Sequence, residues 1–191
     1  MPEGHHDLWG LVRDGRHLQE LVELLTSPLR ESAPTKIVGI EARGFLLGGA
    51  VATHLGIGFV PVRKTGGYHP GQKFTIVSEP DWSGKRNSFE LQENALCNFD
   101  RAALVDDWYT TGSQAMAAIE LIRRTGARFV GASVVAEEGD PALAGIPGFH
   151  ALLRWSPALS MFSRSPFAVH FKERHCSSRD SRTAFARSRD A

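Results

Sequence analysis

An open, mainly parallel α/β sheet with helices on both faces is predicted by three features of the sequence. Lys36-Ile37-Val38-Gly39-Ile40, Ala102-Ala103-Leu104-Val105 and Phe129-Val130-Gly131-Ala132-Ser133-Val134-Val135 are apolar runs of strand length with no charge beyond the leading Lys36, as expected of strands covered on both faces. Segments with apolar residues at helical spacing separate these runs. Charged residues gather where the runs stop, and strand C-termini are where an open parallel sheet binds its ligands.

The elements follow in chain order. Leu18, Leu21, Val22, Leu24 and Leu25 recur at helical intervals among Arg16, Glu20 and Glu23, which predicts an amphipathic helix over 16–26. Pro28 and Pro34 then mark a loop. After the first apolar run, Glu41-Ala42-Arg43-Gly44 leads into a helix over 45–55, where Gly48 and Gly49 are expected to allow close packing. Gly58-Phe59-Val60-Pro61-Val62 is the next strand and stops at Arg63-Lys64. Residues 65–92 contain Gly66, Gly67, Pro70, Gly71, Pro80 and Gly84, with short alternating pieces near 74–77 and 89–91. A long glycine-rich insertion beside a charged rim reads either as a disordered excursion or as a flexible flap over a ligand.

The second apolar run passes through Asp106-Asp107 and a short turn into a helix that ends near Thr125. After the third run, Pro141 and Pro147 mark a turn-rich link to a last short strand over 150–155. From 158 to 191 Ser and Arg dominate without apolar periodicity, which predicts a disordered tail behind a domain spanning 1–157.

Composition narrows the function. A chain of 191 residues can bury a full core, and its net charge of +1 supplies no electrostatic reason to expect nucleic acid or an anionic membrane as partner. Cys97 and Cys176 are too few for a disulfide framework or a zinc site, so a reducing cytoplasmic setting is expected. No apolar run reaches the length that crosses a bilayer, and the first residues lack the basic and apolar regions of a signal peptide.

The chemistry concentrates at Asp106-Asp107-Trp108-Tyr109-Thr110-Thr111-Gly112-Ser113-Gln114. A strand end, a short loop and a helix start make an anion site, because the first turn of a helix leaves backbone N–H groups without partners. The hydroxyls of Thr110, Thr111 and Ser113 add donors for phosphate oxygens, and Gly112 permits close backbone approach. Two carboxylates beside such a cradle repel a bare phosphate, whereas a ribose 5-phosphate offers hydroxyl donors to them as well. The alternative is that Asp106 and Asp107 are ordinary turn and cap residues. Arg43 with the amides near Gly44 forms a second candidate anion site, against the simpler reading of a surface ion pair. Arg63 and Lys64 add a third charged strand end on the same rim.

These motifs resemble those of type I phosphoribosyltransferases, most closely the adenine branch. Leu104-Val105-Asp106-Asp107-Trp108-Tyr109-Thr110-Thr111-Gly112-Ser113 is similar to the family's phosphoribosyl pyrophosphate motif, and Ile37-Val38-Gly39-Ile40-Glu41-Ala42-Arg43-Gly44-Phe45 to its pyrophosphate loop. The likeness continues through Leu55-Gly56-Ile57-Gly58-Phe59-Val60-Pro61-Val62-Arg63-Lys64, and Asp7-Leu8 with the following helix resembles the branch's N-terminal segment. Three positions depart from the pattern: Gly112-Ser113-Gln114 replaces the usual Gly-Gly-Thr, Gly67 stands where a second lysine is usual, and His6 where an arginine is common.

The resemblance implies the type I phosphoribosyltransferase fold and transfer of a 5-phosphoribosyl group from phosphoribosyl pyrophosphate to a purine base, with adenine the acceptor. It implies magnesium chelated by the diphosphate, a homodimer, and no membrane or nucleic-acid partner. Asp106 and Asp107 would receive the ribose hydroxyls, and Thr110, Thr111, Gly112, Ser113 and Gln114 the 5-phosphate. Ala42, Arg43, Arg63 and Lys64 would hold the pyrophosphate. A flap acid would steady the charged sugar or handle the base proton, and Asp81 beside Trp82 fits better than Glu79; Asp81, Asp107 and Arg43 are thus the candidate catalytic residues. The alternatives are a non-catalytic protein of the same fold that senses a phosphoribosyl ligand, and an enzyme for a different base.

Overall fold

The computed structural model describes residues 8–138 and 145–154. His6, Asp7, Pro141, Trp155 and the expected tail over 158–191 lie outside the described residues.

Seven strands form the sheet in the order β3-β4-β2-β1-β5-β6-β7. They are β1 (Lys36–Ile40), β2 (Gly58–Lys64), β3 (Lys73–Val77), β4 (Ser88–Gln92), β5 (Arg101–Tyr109), β6 (Arg128–Glu137) and β7 (Phe149–Arg154). The helices are α1 (Leu8–Val12), α2 (Gly15–Thr26), α3 (Arg43–Leu55) and α4 (Ser113–Arg124). Strands β2, β1, β5, β6 and β7 are parallel neighbours, while β3 and β4 run antiparallel at the β2 edge.

The helices cover both faces, as the apolar runs require. On one face, Leu21, Leu25, Leu47 and Val51 of α2 and α3 close over Ile37, Ala103 and Val105. On the other, Ala118, Ile119 and Ile122 of α4 pack with Val38, Leu104, Val134, Phe89 and Leu91. Helix α2 starts on Asp14, whose carboxylate accepts from the amides of Arg16 at 2.8 Å and His17 at 3.4 Å, and it buries Leu21, Val22 and Leu25. Leu24, counted in the apolar stripe, faces solvent instead. In α3 a Cβ on Gly48 would fall 2.8 Å from the Phe59 ring, so that glycine permits the packing expected of it; Gly49 faces open space.

Two boundaries differ from expectation, each because of a neighbouring strand. Strand β5 does not stop before Asp106 but runs on to Tyr109, since β6 continues beside it with Asp106 opposite Val134 and Tyr109 opposite Glu137. Likewise β2 runs through Arg63 and Lys64, which pair with Glu90 and Phe89 of β4. Much of the stretch expected as a flap over 65–92 is therefore sheet: β3 and β4 form a hairpin at the edge, and Phe89 and Leu91 are fully buried. Among the described residues, no helix is long and apolar enough to cross a membrane.

Candidate active site

Register creates the site. Strand β1 ends at Ile40, with Gly39 opposite Val105, so β5 projects beyond it and keeps only β6 as neighbour from Asp106 onward. The chain leaves β1 toward β2 on one side, while β5 lies on the other. A crevice opens at such a switch in direction, on the carboxyl side of the strands.

The crevice is a cavity of about 190 Å³ lined by Glu41, Ala42, Arg43, Lys64 and every residue from Asp106 to Ala115. The structure thus brings together Ala42, Arg43, Lys64, Asp106, Asp107, Thr110, Thr111, Gly112, Ser113 and Gln114. Arg63 and Asp81 are not among the lining residues. Glu41, Trp108 and Tyr109 line the cavity without having been singled out; their positions next to Ala42 and between the carboxylates and the Thr-Thr turn were the available signal.

The loop between β1 and α3 is drawn tight against the sheet by two glycines. A Cβ on Gly39 would lie 2.2 Å from the Gly44 carbonyl oxygen, and one on Gly44 would lie 2.8 Å from Asp106 Oδ1. That closeness delivers Arg43 to the carboxylates. Its Nε is 2.7 Å from Asp107 Oδ2, off the direction of a hydrogen bond, so the contact is an ion pair that leaves this oxygen without a directed donor. Beside it, Leu8, Trp9 and Val12 of α1 face Leu46 and Leu47 across a narrow apolar cleft behind Arg43 and Asp107.

Asp106 is differently placed. Both carboxylates are buried, and the Asp106 Oδ1 accepts from the Asp107 amide at 2.9 Å. Burial, and then the Asp107 charge, push the Asp106 carboxyl well above the usual carboxylate range. The Tyr109 phenol is raised by burial too, and its hydroxyl has no hydrogen-bond partner among the described residues, while its ring stacks on Phe149 at 5.8 Å.

The turn between β5 and α4 forms one wall of the cavity. Gly112 adopts φ 70° and opens α4 at the cavity wall. Having no side chain, it cannot cap that helix; the Ser113 amide donates to Thr111 Oγ1 at 3.4 Å, and the helix start is the kind of place that holds an anion. Thr111 Oγ1 donates to Ser113 Oγ at 3.1 Å and orients the pair. Trp108 contributes a partly buried ring, with its indole N–H donating to Glu138 Oε1 at 3.0 Å.

Arg63 and Asp81 are engaged elsewhere. Arg63 donates to Glu41 and to the Tyr68 carbonyl. The Arg63 guanidinium holds the Glu41 carboxyl below its usual range. Asp81 closes its own turn at the hairpin tip, accepting from Ser83 N at 2.9 Å, Ser83 Oγ at 2.6 Å, Lys85 N at 3.0 Å and Asn87 Nδ2 at 3.2 Å. These bonds, that from the Ser83 hydroxyl first, lower its pKa.

Comparison with known proteins identifies the family. Residues 12–144 match the family model of the phosphoribosyl transferase domain. The chain belongs to the phosphoribosyltransferase family. Among this family, adenine phosphoribosyltransferase of Desulfitobacterium hafniense is 41% identical over 133 residues, 70% of this chain and 75% of the relative. The enzyme of that name from Streptomyces coelicolor is 38% identical over 149 residues, 74% of this chain and 80% of the relative. The crystal structure of adenine phosphoribosyltransferase from Rhodothermus marinus superposes with a TM-score of 0.70 at 33% identity, over 81% of this chain and 90% of that one. The Saccharomyces cerevisiae adenine phosphoribosyltransferase, solved with an imino-altritol bisphosphate and adenine, gives 0.69 at 33% identity, over 80% and 90%. This phosphoribosyltransferase therefore shares its fold with solved adenine phosphoribosyltransferases, enzymes of the pentosyltransferase class.

Proposed function

We propose that this phosphoribosyltransferase moves the 5-phosphoribosyl group from phosphoribosyl pyrophosphate to adenine, giving a nucleoside 5'-monophosphate and pyrophosphate in purine salvage. The observation that carries it is the single cavity in which Arg43 touches Asp107 beside the Gly112 turn. One mouth thus offers a cation for a diphosphate, carboxylates for ribose hydroxyls and helix amides for the 5-phosphate. The relatives named for adenine supply the choice of base.

In the reaction a base nitrogen bonds to ribose C1 and gives up its proton to pyrophosphate or water, while the C1–O bond to diphosphate breaks and the electron pair leaves with pyrophosphate. Positive charge develops on the sugar. Asp107 would supply negative charge to offset it, Asp106 beside it would meet a ribose hydroxyl, and Ala42, Arg43 and Lys64 would face the departing diphosphate. Trp108 supplies the partly buried aromatic surface against which a planar base can lie. Thr110, Thr111, Ser113 and Gln114 flank the 5-phosphate position.

Magnesium fits this set. Among the described residues no group of three or more His, Cys, Asp or Glu is arranged to hold a metal ion. Two neighbouring carboxylates at an open cavity match an ion that takes one or two protein oxygens and the rest from substrate phosphates. Bound with diphosphate, it would neutralise the leaving group. A homodimer is part of this reading by kinship with the family, and the highly charged donor, which does not cross membranes unaided, supports a cytoplasmic setting.

Turnover with phosphoribosyl pyrophosphate, magnesium and a panel of bases, followed spectrophotometrically, tests the proposal. Adenine should be converted, and Asp107→Asn should lose about 100-fold or more in kcat through a weakened charged hydrogen bond to the reacting sugar, on the scale of one lost donor in a preorganised site. Cys97→Ser, at an exposed position, should retain full activity. Binding of the donor without turnover of any base would instead favour the ligand-sensing reading, for which the engagement of Asp81 in its own turn speaks.

A further inference from the structure

We propose that Glu138 is a specificity-determining residue: held beside the base position by the Trp108 indole, its carboxylate favours an acceptor base with an exocyclic amino group over one with a carbonyl at the same place. The inference deepens the reading above and rests on it for the base lying against Trp108.

The pair is assembled by β5 and β6, which run side by side to their ends with Trp108 opposite Ala136 and Tyr109 opposite Glu137. One residue further on, the Glu138 amide donates to the Tyr109 carbonyl at 3.0 Å, so the hydrogen bonding between the two segments carries on past the end of β6. The Glu138 side chain meets Trp108, whose indole N–H donates to Glu138 Oε1 at 3.0 Å. Each group restrains the other: the ring cannot turn without giving up a charge-assisted bond, and the carboxylate is kept at the nitrogen side of the ring. Trp108 lines the cavity, and the exposed Glu138 stands just outside that lining.

An ionised carboxylate accepts hydrogen bonds and donates none. Oε1 takes the indole N–H, and among the described residues Oε2 has no hydrogen-bond partner. The cation of the neighbouring strand is engaged elsewhere, since Arg154 of β7 pairs with Glu137. Among the described residues no Lys or Arg lies within ion-pair distance of Glu138. A negative acceptor without a cation beside it attracts an amino group and repels a carbonyl oxygen. A planar purine is similar in size to an indole, so one laid on the Trp108 ring has an edge over the nitrogen side, within reach of the carboxylate held there. The neutral ring supplies a surface for any base, and the charge beside it chooses among bases.

The test uses the full chain with Glu138→Gln, Glu138→Leu, Trp108→Phe and the Trp108→Phe/Glu138→Gln double variant, each first compared with the parent in melting temperature. Adenine and hypoxanthine, which carry an amino group and a carbonyl oxygen at C6, are the probes. Their binding is measured by equilibrium dialysis with pyrophosphate and magnesium present, and kcat/KM for each base and the donor KM are taken alongside. The parent should prefer adenine in both readouts. Glu138→Gln keeps an oxygen for the indole N–H but offers an amide donor as well, so the preference should fall about tenfold or more, the scale of one hydrogen bond to a charged group. Glu138→Leu should lose as much, with donor KM unchanged in both. Trp108→Phe, which keeps a ring but not the N–H that holds the carboxylate, should lose part of the preference, and the double variant should be no worse than Glu138→Gln because the two residues act as a unit. An unchanged preference in Glu138→Gln and Glu138→Leu would overturn the proposal, as would a rise in donor KM matching that for the base, the mark of a generally loosened site. Should the parent bind adenine but form no nucleotide, the catalytic reading falls while the dialysis ratio still decides the role of Glu138; a parent that binds neither base defeats both.

Discussion

Asp106 and Asp107 are adjacent in sequence yet meet different conditions. Asp107 has the Arg43 guanidinium within 2.7 Å, whereas Asp106 is buried with a backbone amide as its hydrogen-bond donor and a like charge next door. Its carboxyl is raised by that burial first and by Asp107 second. As pH rises through the ordinary carboxylate pKa, the unfolded chain ionises first, so the folded state binds more protons and loses stability until the raised folded value is passed. Asp106→Asn keeps an oxygen for the Asp107 amide and removes this penalty. Its melting temperature should exceed the parent's at pH 8, by roughly 2–4 °C for each kcal/mol recovered, and match it near pH 4. Calorimetry at the two pH values checks this; a lower melting point at pH 8 would contradict it.

At the scale of elements, the decisive unit is β1, its loop and the start of α3. Gly39 and Gly44 let the loop press on β5, and Gly44 has its absent Cβ 2.8 Å from Asp106 Oδ1 and 3.2 Å from the Val105 carbonyl. Strand β5 is central and has little freedom to retreat. Gly44→Ala should cost about 1–3 kcal/mol by overpacking and weaken donor binding along with it, since Asp106 must shift. Urea unfolding and donor KM report the two effects; unaltered values for both would mean the loop is looser than its packing indicates. Gly39→Ala should be worse, because its obstacle at 2.2 Å is a backbone carbonyl and not a side chain that can rotate away.

For the whole molecule, the cavity joins residues from the β1–α3 loop, the end of β2 and the β5–α4 turn, so a donor touching all three should stabilise the domain as one body. At 100 times its dissociation constant a single ligand adds about 2.7 kcal/mol. For a domain of this size that is a rise of about 5–10 °C in melting temperature. Phosphoribosyl pyrophosphate with magnesium should produce it in a thermal shift measurement, ribose without phosphate should not, and no shift at millimolar donor would remove the site. Much of this architecture was legible beforehand. Runs such as Ile37 to Ile40 and Ala102 to Val105, and the spacing of Ala115, Ala118, Ile119 and Ile122, carry their structure within a few residues, and all four of the latter are buried in α4 as that spacing implies. Of the eleven residues proposed for the ribose, 5-phosphate and diphosphate positions, nine fall in two short motifs, Ala42-Arg43 and Asp106-Asp107 with 110–114, and these nine line the cavity together with Lys64, while Arg63 does not. Other features were not legible: β5 and β2 running past their apolar stretches, the hairpin joining the sheet edge, Arg63 turning to Glu41, and Asp81 closing its own turn. Periodicity and motif are local properties, set by side chains a turn or a strand apart, and they were enough for the fold class and the two halves of the site. Where a strand stops and which way a cation points depend mostly on partners far along the chain, as Lys64 depends on Phe89 and Arg63 on Glu41. Those pairings exist only once the sheet has assembled, because backbone groups and charges choose among the partners that folding brings within reach.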